Sequence, residues 1–433
     1  EVNGNNQTYV AYLFAGNSSE LADNQMIKCG SYTGNGSATG PVVNLGWEPQ
    51  FLITKVVNSN NWHMWDSMRG ITAGSDDARL YPNLTNAEDK SEKLQLTSTG
   101  FQIKSSSASI NTSGVETIYM AIRAPMMVKP EAATDVFSVK SYTGNGATQT
   151  LDAAFGPVDM AIVKNKESGV AMQPDLTTRL THAELYTDSS AEEGSRNFVT
   201  FDSNSLVLPA QNNSNTSNIP FSLFSWKRAK GYMDCVAYSG SGANRTLPHS
   251  LGVVPEMIWV KARNSGAQSW RVYNASSGAT HGLNLNGDNA AFALNRLWND
   301  TAPTNSSFTV GNHGSTNDSS LTYIAYLFAT LAGISKVGSY TGNGSYQTIN
   351  CGFSAGARFI LIKRTNAAGN WYVWDSLKGI VAGNDPHFQL NTTAVDVTND
   401  DSVDPHSSGF IVNQNSPTNI NVSSGTYIFY AIA

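Results

Sequence analysis

The stretch Ser31-Tyr-Thr-Gly-Asn-Gly36 decides the fold, because the chain returns to it three more times. The later copies are Ser141-Tyr-Thr-Gly-Asn-Gly146, Ala237-Tyr-Ser-Gly-Ser-Gly242 and Ser339-Tyr-Thr-Gly-Asn-Gly344. They recur at intervals of roughly a hundred residues along the chain, and self-similarity at a fixed period indicates a protein built from repeats of one structural unit.

Each copy continues into an apolar run that ends in lysine, at a nearly constant distance from the glycines. The four runs are Phe51–Lys55, Met160–Lys164, Met257–Lys261 and Phe359–Lys363. Such continuous apolar runs predict central strands that are covered on both faces. The four lysines are the only charge kept in every copy. We expect each lysine stem to pack on the core while the ammonium group reaches water; an ion pair between neighbouring modules is the alternative.

Two more landmarks complete the repeat. An aromatic strand occurs as Trp62–Asp66, Trp270–Asn274 and Trp371–Asp375, and the second copy has lost it. Each copy then ends on a closing strand, which is Thr117–Ile122, Phe221–Trp226, Thr322–Phe328 or Thr426–Ile432. Short β-branched and aromatic runs bounded by Gly, Asn and Ser predict a β-sandwich. The Gly-Asn-Gly element predicts a tight hairpin turn that requires positive φ.

The sequence therefore predicts an all-β protein with four tandem β-sandwich modules, lectin-like or jelly-roll-like, of about 100 residues each. The predicted modules are 27–126, 127–231, 232–333 and 334–433, and residues 1–26 form an orphan closing strand plus linker. The connections between copies are short. We therefore expect beads in a rod or a compact stack rather than freely jointed domains.

The orphan strand Thr8-Tyr-Val-Ala-Tyr-Leu-Phe14 is a fifth copy of the closing strand, and no module precedes it. An exposed apolar strand invites pairing with another strand edge. It either packs within its own chain or adds to another subunit as a strand. The candidate residues for the second case are Tyr9, Val10, Ala11, Tyr12, Leu13 and Phe14.

Composition excludes several classes of protein. The formal net charge is −6, which argues against nucleic-acid binding, since that rests on basic patches. No apolar run is long enough to insert across a membrane. The three cysteines, Cys29, Cys235 and Cys351, are too few for a disulfide framework and are expected to be buried as small hydrophobes.

Two matching acidic positions are candidates for polar chemistry. Asp66 and Asp375 are each followed three residues later by a cation, Arg69 or Lys378. They either anchor a sugar or a metal, or they form a turn in which the carboxylate caps backbone N–H groups and pairs with the cation. The acidic run 400–404 lacks the pattern of a calcium loop and is interpreted as a solvated loop. We expect no metal and no cofactor.

The aromatic strand is the best binding candidate in the sequence. Side chains alternate along a strand, so the two rings of each pair point to opposite faces. One ring lies in a core, and the other is left for packing between modules or for stacking on a glycan or receptor. The rings concerned are Trp62, Trp65, Trp270, Tyr273, Trp371 and Trp374.

The combined motifs resemble a known repeat. Four motifs occur in the same order as in this repeat: Ser-Tyr-Thr-Gly-Asn-Gly, a strand ending in Ile-Lys, Trp-Asp-Ser-Met-Arg-Gly at 65–70 or Trp-Asp-Ser-Leu-Lys-Gly at 374–379, and a Tyr-Ile-Ala-Tyr-type closing strand. In this combination the chain is similar to repeats in tail-fibre-like and other appendage proteins of bacteriophages, marine ones especially. The resemblance covers residues 27–433. It implies a β-sandwich in a virion or extracellular appendage and implies no catalytic residues.

The expected function follows from these observations. We expect a structural or adhesion protein of a phage virion or an extracellular appendage, assembling as a homo-oligomer or with other appendage subunits and attaching to a host surface. A carbohydrate-binding adhesin is the alternative, and a polysaccharide-degrading enzyme is a weaker third. The seven histidines share no column and no Gly-x-Ser-x-Gly elbow occurs, so nucleophilic or metal catalysis is not predicted.

Overall fold

The computed structural model describes residues 4–6, 8–16, 25–58, 60–67, 69–71, 77–91, 93–124, 127–166, 173–194, 199–202, 204–210, 214–413 and 417–433. The chain divides into two compact units, unit 1 (Glu1–Met126) and unit 2 (Met127–Ala433). Strands form 41% of the structure and helices 4%. The prediction of an all-β sandwich protein is confirmed.

The strands fall into four segments, which we call modules 1 to 4. Module 1 contains β1 (Ile27–Thr33), β2 (Val42–Asn44), β3 (Pro49–Val56), β4 (His63–Asp66), β5 (Ala78–Leu80), β6 (Asp89–Lys90), β7 (Leu94–Thr97), β8 (Gly100–Ile103), helix α1 (Ala108–Asn111) and β9 (Glu116–Arg123). Module 2 contains a 3-10 turn (Ala133–Asp135), β10 (Phe137–Thr143), β11 (Gln149–Asp152), β12 (Met160–Asn165), β13 (Asp175–Thr178), β14 (Glu184–Tyr186), β15 (Thr200–Phe201), β16 (Ser205–Leu208) and β17 (Pro220–Trp226).

The second half of the chain repeats this order of elements. Module 3 contains β18 (Met233–Ser239), β19 (Arg245–Pro248), β20 (Met257–Ala262), β21 (Arg271–Asn274), β22 (His281–Asn284), β23 (Phe292–Ala293), a 3-10 turn (Asn295–Leu297), β24 (Ser307–Val310), helix α2 (Gly314–Asn317) and β25 (Thr322–Phe328). Module 4 contains β26 (Ser335–Thr341), β27 (Gln347–Asn350), β28 (Phe359–Arg364), β29 (Trp371–Asp375), β30 (His387–Gln389), β31 (Val403–His406), β32 (Gly409–Val412) and β33 (Thr426–Ile432).

Every module is built from a large and a small antiparallel sheet. The large sheets have the orders β1-β9-β3-β4-β5-β6, β10-β17-β12-β13-β14, β18-β25-β20-β21-β22-β23 and β26-β33-β28-β29-β30. The small sheets are β2-β8-β7, β11-β16-β15, β19-β24 and β27-β32-β31. The closing strand therefore always lies between the first strand and the lysine-ended strand, where it forms hydrogen bonds on both sides.

The Gly-Asn-Gly element is not the hairpin turn predicted from the sequence. It joins the first strand of the large sheet to the first strand of the small sheet, so it forms the corner between two sheets. The second glycine of each copy has positive φ, for example 71° at Gly242. The first glycine lies against a backbone carbonyl, and a Cβ added at Gly240 would overlap the carbonyl oxygen of Asp318. A close approach of two backbones, and not strand pairing, requires this glycine.

In unit 2, each large sheet has two buried faces. Its inner face packs on the small sheet of the same module, and its outer face joins a core shared by modules 2, 3 and 4. Closing-strand residues at matching positions, Phe224, Tyr326 and Tyr430, meet in this shared core. The prediction that the lysine-ended strands are covered on both faces is confirmed here, because β12 and β20 are buried along their whole length.

The modules of unit 2 contact one another through equivalent parts. The Trp270 indole N–H of module 3 donates to the carbonyl oxygen of Tyr186 in module 2 over 2.8 Å. The Trp371 indole N–H of module 4 donates to the carbonyl oxygen of Asn284 in module 3, also over 2.8 Å. In both cases the acceptor is the last residue of the fifth strand of the large sheet. The same surface is therefore used twice, head to tail.

A third interface closes the arrangement between modules 4 and 2. The Thr187 hydroxyl donates to the Leu390 carbonyl oxygen over 2.6 Å. At the other edge, the Arg358 guanidinium donates to the Phe137 carbonyl oxygen at 3.2 Å and lies over the Phe137 ring. Modules 2, 3 and 4 thus form a closed ring around one core. Of the two expected arrangements, residues 127–433 adopt a compact one and not a rod of beads.

Candidate functional site

The aromatic strands place their rings on opposite faces, as strand alternation requires. Trp65, Tyr273 and Trp374 point into the core of their own module, and each is at most 4% exposed. Trp270 and Trp371 point outward into the shared core of the ring and are fully buried. These five rings offer no face to a glycan, because protein atoms cover them on both sides.

Trp62 differs from its counterparts. It occupies in module 1 the position that Trp270 and Trp371 occupy in the ring, but its side chain is only half-buried. Its neighbour on the same outer face, Met64, is half-buried as well. The glycan interpretation of the aromatic strand is therefore corrected for the buried rings, and Trp62 is part of an open apolar face.

The paired Asp and Arg or Lys residues form turns. The Arg69 backbone N–H donates to Asp66 Oδ1 over 2.9 Å, and its Nε donates to Asp66 Oδ2 over 2.6 Å. In module 4 the Lys378 N–H donates to Asp375 Oδ1 over 2.9 Å, and its ammonium lies 3.3 Å from Asp375 Oδ2. The structure thus shows the capped turn, in which all four residues form hydrogen bonds or ion pairs.

The module 4 turn extends into a buried ionic cluster. Lys378 Nζ also lies 3.3 Å from Asp396 Oδ2 and 4.5 Å from the centre of the Phe388 ring. Burial raises the pKa of Asp396. A single buried lysine shared by two carboxylates holds the turn against the loop after β30, which explains why this motif is structural.

The acidic run 400–404 is not the solvated loop that was expected. Asp400 is 4% exposed and lies 3.8 Å from His387 Nδ1. Ser402 donates its backbone N–H to Asp385, which also accepts from the backbone N–H of Val403 at 3.0 Å. The Asp385 carboxylate thus satisfies two buried backbone donors of this run. Within the described ranges, no group of His, Cys, Asp and Glu side chains could hold a metal ion.

The column lysines of unit 2 do not reach water, which corrects the prediction. Lys164, Lys261 and Lys363 are at most 1% exposed. The Lys363 ammonium donates to the Asp288 carbonyl oxygen of module 3 over 3.2 Å, and Lys164 donates to the Thr392 carbonyl oxygen of module 4 at 3.4 Å. Because neighbouring modules cover the strand ends, backbone carbonyls replace water as ligands of the ammonium groups.

Burial lowers the pKa of Lys261 and of Lys363 to about 8, and this predicts a pH dependence. Between pH 8 and the unfolded value near 10.5, the folded state has released these protons while the unfolded state keeps them, so the stability of unit 2 should rise with pH at up to about 1.4 kcal/mol per pH unit per lysine. Urea unfolding at pH 7.5 to 9.5 measures the slope. The variant K261M/K363M should show a smaller slope; equal slopes in the two proteins would contradict the prediction.

One recurrent contact was not predicted from the sequence. A buried asparagine precedes each closing strand and binds the Gly-Asn-Gly corner; Asn317 Oδ1, for example, accepts the Ser241 N–H over 2.7 Å. The tyrosine of the same motif donates its hydroxyl to the carbonyl of the residue before that asparagine, as Tyr238 does to Thr316 over 2.7 Å. The four asparagines are Asn111, Asn215, Asn317 and Asn421. Their varying distance from the glycines hides them in the sequence.

A groove opens between modules 3 and 4 on the surface of unit 2. It has a volume of about 610 Å³, and amide and hydroxyl side chains line it together with one acid and one lysine: Asn274, Ser276, Gln347, Asn350, Glu256 and Lys336, beside Tyr340. Gln347 Oε1 is buried and has no hydrogen-bond partner among the described residues. Amides at the edge of an aromatic ring are suited to bind a polar ligand.

The orphan strand is fully outside any core. Residues 8–16 form neither helix nor strand, and Ala11 is exposed together with its apolar neighbours. Val10, Tyr12 and Leu13 are 79%, 83% and 93% exposed, whereas the matching Ile324, Tyr326 and Leu327 of module 3 are fully buried. The described strands of unit 1 do not pair with this segment.

The helices of the described ranges give no membrane span, since none is long and apolar enough to cross a bilayer. The fold and the sites above define an all-β protein made of repeated two-sheet modules, in which most motif residues hold modules or turns together. A family model described as Domain of unknown function (DUF7483) matches residues 1–125 and 132–433, so the chain belongs to this family. The break between the two matches falls where unit 1 meets unit 2 in the sequence. No curated protein matches the chain.

Proposed function

We propose that the protein is a non-enzymatic structural or adhesion component of a phage virion or an extracellular appendage, and that its modules mediate assembly with further copies or with other appendage subunits. The observation that carries the proposal is the ring of modules 2, 3 and 4. Its motif residues, above all Trp270, Trp371 and Lys363, form contacts between modules. The repeated motif residues therefore serve the assembly of the modules.

Three further features support an assembly role. Charged side chains are sparse, at 14% of the chain, and the paired acids of modules 1 and 4 are engaged in turns. Outer faces of the large sheets join modules by burying apolar surface, the usual basis of permanent association. The resemblance to phage appendage repeats supplies the virion or extracellular location.

Immunogold electron microscopy tests this proposal. Antibodies raised against the 433-residue chain should label appendages of virus particles or the outside of cells from the source. Antibodies absorbed beforehand with the purified chain serve as the control and should give no label. Label confined to the cell interior would contradict the proposal.

Carbohydrate binding is the second candidate, and the groove between modules 3 and 4 favours it over the aromatic strand. The unpaired amide oxygen of Gln347 and the other amide and hydroxyl groups of its lining are suited to sugar hydroxyls. A glycan array with the chain and with Q347A tests this. Binding that falls at least ten-fold in Q347A supports the groove, and equal binding by both proteins excludes it.

A further inference from the structure

The outer face of the large sheet is exposed to solvent in module 1, whereas modules 2, 3 and 4 bury the same face. On this face Cys29 and Ile118 are exposed, and Phe51, Met120 and Ile122 are half-buried. The corresponding residues of module 4, such as Phe359, are at most 4% exposed because modules 2 and 3 cover them.

The strand registers show that the correspondence is residue by residue. In module 1, Phe51 pairs with Ile122 and Ile53 with Met120. In module 4 the same positions are Phe359 paired with Ile432 and Leu361 paired with Tyr430. Lys55 pairs with Ile118 as Lys363 pairs with Ile428. Trp62 precedes Trp65 by the same spacing as Trp371 precedes Trp374. Module 1 therefore carries the residue types with which module 4 joins a ring.

The exposed segment at residues 8–14 points to the same missing partner. It differs from β25, the closing strand of module 3, only by Val10 in place of Ile324. A closing strand is hydrogen-bonded on both sides, and each of the four modules already has its own in β9, β17, β25 and β33. A second copy of this chain would therefore offer the segment no vacant position.

We propose that residues 8–14 are the closing strand of a further module of this same fold that lacks one, and that this acceptor module packs on the open face of module 1. The order along the chain supports the placement, since β25 closes module 3 and leads directly into β26 of module 4. An acceptor module closed by residues 8–14 would precede module 1 and pack on it in the same way as module 3 precedes module 4 and packs on it. Module 1 is then part of a second three-module ring.

Strand alternation assigns the side chains of the segment. In β25, Tyr323 and Ala325 face the interior of module 3, while Tyr326 faces the shared core. By the same alternation Tyr9 and Ala11 face the interior of the acceptor, and Tyr12 faces the core of the second ring. This arrangement rests on the assembly role proposed above and specifies which protein surfaces are in contact. Its test is independent of where the protein is located.

A fusion protein tests the inference with an acceptor taken from the chain itself. Residues 127–321, which are module 2 and module 3 without β25, are joined directly to Thr8 of the full chain. The readout is the rate at which maleimide modifies Cys29, located by mass spectrometry of its peptide. Cys29 is exposed in the 433-residue chain, while its counterpart Val337 is 3% exposed. We expect the rate to fall at least ten-fold in the fusion.

Two control proteins make every outcome informative. Substituting Ala11→Asp in the fusion should restore fast modification of Cys29, because a carboxylate cannot enter the acceptor interior. In the unfused chain the same substitution should change nothing, since Ala11 is exposed. The second control keeps the native strand by joining residues 127–328 to Thr8, so that the acceptor closes on its own β25 and residues 8–14 are left without a vacant position.

The outcomes separate the two halves of the inference from each other. Protection of Cys29 only when the native strand is kept would overturn the strand assignment. No protection in either fusion would overturn the assignment of the face. A trimeric mass for the unfused chain, with Cys29 protected, would also overturn the inference, because other copies of the chain would then cover the face.

Discussion

Replacing Trp371 with alanine is expected to lower the free energy of unfolding of unit 2 by about 3–5 kcal/mol. The ring is fully buried in the core shared by modules 2, 3 and 4, and its N–H donates to the Asn284 carbonyl oxygen. The variant therefore loses apolar contacts in two modules and leaves one buried carbonyl without its donor. Guanidinium unfolding followed by tryptophan fluorescence and circular dichroism measures the loss.

Trp62 provides the matched control for this substitution. It has the same position in the module and also donates its backbone into a comparable network, through Asn83 Oδ1 at 3.0 Å, but its side chain is only half-buried. W62A should lower the stability of unit 1 by less than half as much and leave unit 2 unchanged. Equal losses in W371A and W62A would contradict the shared core as the basis of unit 2.

Replacing Gly240 with alanine is expected to cost about 3 kcal/mol or more, or to prevent folding of module 3, because the added methyl group would overlap a backbone carbonyl. The carbonyl belongs to Asp318, in the segment that binds the Gly-Asn-Gly corner. A backbone atom cannot rotate away as a side chain can. The corner must therefore separate from the turn before β25.

Gly266 is the control for the effect of alanine itself. The nearest atom to a Cβ at Gly266 is the Glu192 backbone nitrogen at 3.8 Å, an ordinary contact distance. G266A should therefore unfold within about 0.5 kcal/mol of the unsubstituted chain, as surface substitutions usually do. Both variants are compared by urea unfolding, and similar stabilities of G240A and G266A would refute the close approach at the corner.

Much of the fold was predictable because the repeat aligns residues with the same role. The apolar run before Lys261 predicts a strand covered on both faces, and β20 is buried along its whole length. The Trp-x-x-Trp spacing predicts rings on opposite faces, and Trp371 and Trp374 follow it. Both predictions rest on the alternation of side chains along a strand, which depends on local sequence alone.

What the sequence did not predict depends on contacts between distant segments. The lysine ammonium groups were expected in water, because one module alone gives no reason to cover Lys363; the Asp288 carbonyl that binds it comes from the next module. The Gly-Asn-Gly element predicts a hairpin because glycine indicates positive φ but not which sheet the next strand joins. The buried asparagines were missed because loops of different length precede them.

The closed ring of modules 2, 3 and 4 also has a consequence for stoichiometry. Three separate subunits would assemble only above a threshold concentration, whereas modules joined by short connections meet at a high effective concentration and associate at any dilution. Covalent linkage also frees each interface to diverge. Two interfaces use a tryptophan N–H, while the third uses the Thr187 hydroxyl. A symmetric trimer would have to change all three interfaces with every substitution.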